Sequence, residues 1–181
     1  MEHRPRITLG PMNMKQAHEW ATECARNIDP TPNYTGSDET FGTTKYYRFY
    51  AGYRGELAAL DWMCDQNWDV DFKLNTCGKS QGSEFIVDAG SRRVRVEIKT
   101  AGQPHHQKCM IPENAKLDFD VVIGQKLVAD NVVEIWGWLG RLEVEKMMPI
   151  EMVKVPTRAC LLSNMRPLSE LIEAIEKLER R

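Results

Sequence analysis

Two glutamates and a lysine in the stretch SEFIVDAGSRRVRVEIKT, residues 83–100, are spaced for chemistry on a phosphate. The stretch reads as two short strands around a tight turn. Side chains alternate between the two faces of a strand. Val94, Val96 and Ile98 therefore share one face of the second strand, and Arg93, Arg95, Glu97 and Lys99 share the other. On the first strand Glu84, Ile86 and Asp88 lie on the face opposite Phe85 and Val87. Gly90-Ser91 suits a two-residue type II′ turn, which takes glycine first. That turn pairs Ala89 with Arg92, and counting outward sets Asp88 against Arg93, Ile86 against Arg95 and Glu84 against Glu97. Like charges directly opposed destabilise a strand pair. Asp88 has a counter-charge in Arg93; Glu84 and Glu97 have none. A divalent metal, a nearby lysine such as Lys99, or a shared proton would relieve them. Mg²⁺ takes oxygen ligands, commonly one or two carboxylates with water and phosphate oxygens. Such an ion polarises a phosphoryl oxygen and lowers the pKa of water. A lysine beside it orients that water or stabilises charge developing on the phosphate. A second acid-x-lysine triplet, Asp71-Phe72-Lys73, has no acid-bearing hairpin before it.

The elements that must hold this hairpin are legible around it. Asn13 caps a helix over 13–27, with Ala17, Trp20, Ala21 and Cys24 on one face. Residues 28–44 are rich in Pro, Gly, Thr and Asp and read as a loop and the best boundary in the chain. A longer helix spans Lys45 to Gln66, with Tyr50, Tyr53, Leu57, Leu60 and Cys64 as its buried stripe. Gly52 and Gly55 each cost that helix about 1 kcal/mol against alanine, so they predict close backbone approach or a later helix start. WDVDFKL (68–74), DFDVVIGQKLV (118–128) and VVEIWGWL (132–139) read as strands, the last two joined by a turn at Ala129, Asp130 and Asn131. Residues 101–116 read as a loop. The C-terminal helix buries Leu168, Leu171, Ile172, Ile175 and Leu178, is capped by Asn164, and places Lys177, Arg180 and Arg181 at its negative end. The pattern predicts an α/β (α+β) fold with a small mixed central sheet flanked by helices. Residues 1–44 form an N-terminal extension with a short helix and loop, and 45–181 form the main domain.

A net charge of −2 on 181 residues excludes the global basic field of a nonspecific nucleic-acid coat protein. It leaves room for local basic patches beside an acidic site. Five widely spaced cysteines without a CxxC argue against a disulfide framework or zinc knuckle and for a reducing, cytoplasmic setting. No secretory leader is evident at MEHRPRITLGPM, and no apolar run approaches the roughly 20 residues of a membrane span, so no membrane partner is expected.

With the hairpin in place, the sequence resembles the PD-(D/E)XK nuclease superfamily, the restriction-endonuclease-like fold, over most of residues 45–181. Gly55-Glu56-Leu57-Ala58-Ala59 is similar to the GE-x-A opening of that family's first core helix. Ser83-Glu84-Phe85-Ile86-Val87 resembles its PD-bearing strand, and Val96-Glu97-Ile98-Lys99-Thr100 its (D/E)XK strand. DFDVVIG and VVEIWGWL resemble the two strands that complete its sheet. The resemblance implies a metal-dependent DNA endonuclease that leaves 5′-phosphate products. Glu84 and Glu97 would coordinate Mg²⁺, or Mn²⁺, with the Ile98 carbonyl as third ligand and Glu56 as auxiliary ligand. Lys99 would act on the attacking water or the phosphate. Glu84 stands where the family usually has aspartate, and Ser83 where it often has proline. Asp88 is the fallback acid. A homodimer would suit cutting of both strands.

Contacts to DNA are expected from Arg92, Arg93 and Arg95, with Lys73 and Lys79 beside them. Lys45-Tyr46-Tyr47-Arg48 and Tyr53-Arg54 interleave aromatic and basic residues. Lys45, Arg48 and Arg54 would meet phosphates while tyrosines stack on bases, or else the tyrosines pack in the core and the bases stay solvated. His105, His106 and Cys109 are transition-metal ligand types without an evident fourth partner, which suits a polar loop near the substrate. Two other readings remain: a catalytically silent DNA- or protein-binding module of the same fold, and an unrelated α+β interaction protein.

Overall fold

The Gly90-Ser91 turn forms and fixes the register of its hairpin. Gly90 has φ +62, a left-handed conformation free of Cβ penalty in glycine. Ala89 pairs with Arg92, Asp88 with Arg93, Ile86 with Arg95 and Phe85 with Val96. The computed structural model describes residues 4–27, 45–72, 84–150 and 156–179. The stretch 28–44, Lys73, Lys79, Ser83, Arg180 and Arg181, and the side chain of Lys45, lie outside the described residues.

In chain order the elements are β1 (Arg6–Thr8), α1 (Pro11–Asn27), α2 (Lys45–Asp65), β2 (Asp69–Phe72), β3 (Phe85–Ala89), β4 (Arg92–Ala101), β5 (Lys108–Pro112), β6 (Val121–Ala129), β7 (Val132–Gly140), α3 (Arg141–Glu145), β8 (Thr157–Leu161) and α4 (Leu168–Glu179). Six strands make one mixed sheet in the order β1-β7-β6-β4-β3-β2, and β5 pairs with β8 in a separate ribbon. β4 and β6 run parallel, while the other neighbours are antiparallel. Helices flank the sheet, as the sequence pattern predicts. β6 is buried along most of its length, which explains why VVIGQKLV lacks the alternation of a half-solvated strand.

The hairpin's apolar side is buried as its alternation requires. Phe85, Val87, Val94, Val96 and Ile98 pack in one core cluster with Trp62 and Met63 of α2 and Leu168, Leu171 and Ile175 of α4. A second cluster joins Ala17, Ala21 and Cys24 of α1 to Ala51, Tyr53, Leu57 and Ala58 of α2. α2 is thus covered on two sides, and its buried arc is wider than the single stripe expected. Ala51, Ala58, Ala59, Trp62 and Met63 are buried, while Tyr50 and Leu60 are half-buried and Cys64 is exposed. Asn67, at φ 58, ends this helix in the left-handed conformation.

Several boundaries move for local reasons. α1 starts at Pro11, a residue preorganised for a first turn, and Asn13 instead donates from Nδ2 to Asp61 Oδ2 on α2 at 3.0 Å. The β6–β7 turn is Asp130-Asn131 alone, because Ala129 pairs with Val132. Asn164 belongs to a short 3-10 helix, and α4 begins only after Pro167. β1, the β5–β8 ribbon and α3 are additions to the sequence reading. They are three to five residues long, too short to display a period. Among the described residues no helix is long and apolar enough to cross a membrane.

Candidate active site

β4 outruns its hairpin partner. β3 accompanies it as far as Val96, whereas β6 lies beside it from Val96 to Ala101. From Glu97 onward one edge of β4 carries no partner strand among the described residues. Glu84, in a bend just before β3, fills the first gap on that edge: its Oε2 accepts the backbone N–H of Ile98 at 2.7 Å. The expected ladder pairing of Glu84 with Glu97 is not formed. The ladder ends one residue earlier, and the carboxylate supplies the acceptor that the orphaned N–H requires. A strand residue presents its N–H and C=O to the same edge, so the Ile98 carbonyl faces this edge too.

The other expected residues converge here. Lys99 Nζ is ion-paired with Glu97 Oε1, both side chains being largely buried. Glu56 arrives from α2, close enough to Glu84 and Glu97 for their charges to be felt. Gly55 makes this approach feasible. A Cβ there would fall inside the van der Waals envelope of Thr100 Oγ1 on β4 and Gln125 Nε2 on β6. Of the two explanations for the helix glycines, close backbone approach holds at Gly55; nothing lies within 4 Å of a Cβ built at Gly52.

The electrostatics follow from three acids sharing one ammonium in a desolvated place. Burial, then the charges of Glu84 and Glu97, hold Glu56 well above the usual carboxylate range. Burial and the neighbouring Glu97 push Glu84 up to about 7, against the opposing pull of Lys99 and the Ile98 N–H. Burial works against the charge on Lys99 but is outweighed by Glu97 and Glu84, so its ammonium is held above its ordinary value. Glu56 Oε2 is buried with no hydrogen-bond partner.

Compared with known proteins, the chain matches no family model, no curated protein and no solved structure.

The donor set suits a hard divalent cation in kind: carboxylate oxygens, a strand carbonyl and one unpartnered carboxylate atom. It is not a closed cage. Among the described residues, no three His, Cys, Asp or Glu side chains are gathered as a ready metal site. That statement also covers His105, His106 and Cys109.

The basic residues meet different fates. Arg92 is exposed at the turn. Arg93 pairs with Asp88 at 3.5 Å and Asp71 at 3.4 Å. Arg95 pairs with Asp118 and, at 3.0 Å, with Asp120. Arg48 is half-buried. Arg54 is 1% exposed. Its guanidinium donates to the Asp130 carbonyl and Oδ1 and lies over the Tyr50 ring at 4.1 Å. In that position it pins α2 to the β6–β7 turn and presents no N–H to a phosphate outside. The tyrosines around it take the packing alternative: Tyr53 is buried, and Tyr46 and Tyr50 stack at 5.5 Å.

Sequence reasoning passed over Gln125 and the Asp118/Asp120 clamp. Gln125 is fully buried and donates to Thr100 Oγ1 at 3.1 Å. A lone amide inside VVIGQKLV is the signal, since a buried polar group demands a partner. The DFD triplet ahead of β6 carried the signal for the clamp on Arg95.

Proposed function

We propose that the chain is a metal-dependent DNA endonuclease of the restriction-endonuclease-like fold. The observation that carries the reading is that Glu56, Glu84 and Glu97 lie within reach of one another's charge at the open edge of β4, with Lys99 paired to Glu97 and one buried carboxylate oxygen unpartnered. Charge-paired acids on a solvated strand need no such arrangement, and strongly shifted groups gathered in one place favour a functional site.

In this reading Glu84, Glu97 and the Ile98 carbonyl would hold Mg²⁺ or Mn²⁺, with Glu56 as auxiliary ligand. The bound ion would polarise a phosphoryl oxygen and make water a better nucleophile at neutral pH. Lys99, kept charged by Glu97 and Glu84, donates to the phosphate oxygens or to the attacking water. Burial and Glu97 favour a proton on Glu84 while no ion is bound, and the ion would take that proton's place. Burial and the charges of Glu84 and Glu97 favour the protonated form of Glu56 while the site lacks added positive charge. None of the four described cysteines is in a disulfide, which suits work in a reducing cytosol. Two copies would bring two sites to a duplex.

A second reading has its own support. Lys99 already supplies Glu97 with a counter-charge, as it would in a catalytically silent binding module of the same fold. One experiment separates the two. Plasmid, single-stranded and branched DNA are incubated with Mg²⁺ and the wild-type chain, beside Lys99→Ala and Glu97→Gln. Cleavage by the wild type that both substitutions abolish supports the nuclease. No cleavage of any substrate supports the silent module.

A further inference from the structure

Next to Lys99, the end of β4 and the chain leading into β5 line a half-open cavity of about 420 Å³. That lies within the roughly 300–1,000 Å³ of small-molecule sites. Its wall passes from Lys99 and Gly102 to His105, His106, Cys109 and Met110. Lys99 is therefore shared: it pairs with Glu97 on one side and borders the cavity on the other. The lining is mostly apolar. Cys109 is buried, and burial pushes its thiol up to about 12, so the thiol itself stays protonated at neutral pH; Lys108 beside it also lines the cavity. His105 is exposed and His106 half-buried, with their rings edge to face at 4.6 Å. Burial, then His105, holds His106 below its ordinary value, so it is a neutral aromatic ring.

We propose that this cavity receives one unstacked nucleobase of a strand whose adjoining phosphate lies at Lys99, which makes single-stranded or splayed nucleic acid the substrate class. The inference rests on the nuclease reading and goes beyond it in naming the substrate form. A base stacked in an intact duplex cannot reach into a recess of this size; a splayed base can, and the imidazole rings along its wall offer a stacking surface. The surface charge points the same way. Duplex DNA presents one phosphate charge per roughly 1.7 Å of axis and is held by extended rows of cations. Among the described arginines near the site, Arg93 and Arg95 are already paired with two aspartates each. Stacking on ring faces, which contributes roughly tenfold or more in affinity per base, asks for fewer cations.

The test is fluorescence anisotropy of the full chain in Ca²⁺, with a short single-stranded DNA and a blunt duplex of the same sequence as probes. The inference expects the single strand to bind at least about tenfold more tightly. It also expects the double variant His105→Ala/His106→Ala to lose about tenfold on the single strand and with it most of the preference. Mn²⁺ titration of the same variant reports whether the acid cluster, and so the fold, is intact. Equal binding of the two probes by the wild type overturns the inference. So does wild-type affinity of the double variant for the single strand. Either result leaves the nuclease reading standing if Mn²⁺ binding and Mg²⁺-dependent cleavage are present. A wild-type chain that binds neither DNA and cleaves neither overturns the nuclease reading and this inference together.

Discussion

The two ends of one hairpin handle charge in opposite ways. At the turn end Arg93 sits between Asp88 and Asp71, and Arg95 between Asp118 and Asp120, so each cation meets acids at partly exposed positions. At the open end three acids share one ammonium, and burial makes their repulsion worse. The first arrangement is how a strand surface reaches neutrality. The second reaches it only with protons or with another cation, and conflict of that kind is retained at functional sites. In the proposed reading the chemistry belongs at the end of β4 beyond β3, not at the arginine-rich turn.

The comparison is broken most severely at Glu97. Glu97→Gln is expected to cut DNA cleavage by between about 100- and 1,000-fold, the scale of losing one aimed charge in an active site. Single-turnover rates in Mg²⁺ check it, and a loss of less than about tenfold would place the chemistry elsewhere. Next in size is the pH dependence of stability without divalent ions. Glu84 titrates near 7 in the folded chain against an ordinary 4.5, so the folded state holds a proton between those values that the unfolded state has released. Stability is therefore full below about pH 4.5 and falls as pH rises to 7, by up to about 3 kcal/mol at 1.36 kcal/mol per unit. Denaturation in chelator across that window should show the decline in the wild type and a flatter profile in Glu84→Gln.

Gly55→Ala drives a methyl into Thr100 and Gln125 and should destabilise by about 1–3 kcal/mol while drawing Glu56 away from the cluster. Gly52→Ala has open space and should stabilise by about 0.5–1 kcal/mol. Urea denaturation of the pair sharpens the claim that one glycine serves the site and the other does not. The smallest effect belongs to the turn end. Arg93→Ala removes two half-exposed ion pairs and should change stability by less than about 1 kcal/mol. A larger loss would mean that the turn end is no ordinary surface.

Much of this arrangement is written in short-range chemistry. Gly90-Ser91 dictates a turn type, the turn dictates a register, and the register brings Glu84, Glu97 and Lys99 to one end. The apolar spacing of Leu168, Leu171 and Ile175 places the last helix in the same direct way. What the sequence hides is long-range. Nothing local says that β4 outruns β3, so the sequence predicts Glu84 in the ladder, whereas it lies past the ladder's end on the Ile98 N–H. Arg54 reads as a surface cation beside tyrosines, and only the β6–β7 turn, far along the chain, buries it against Asp130. The β5–β8 ribbon is a pairing of two five-residue segments separated by the β6–β7 hairpin, and its strands are too short to declare themselves.

The central claim is that the acids at the open end of the hairpin are short of one divalent cation. Calorimetric titration of the full chain with Mn²⁺ at neutral pH tests it most directly, with Glu84→Ala and Glu97→Gln alongside. The account predicts a saturable site in the wild type that each substitution weakens or removes. Absence of binding, or binding that neither substitution alters, would contradict it.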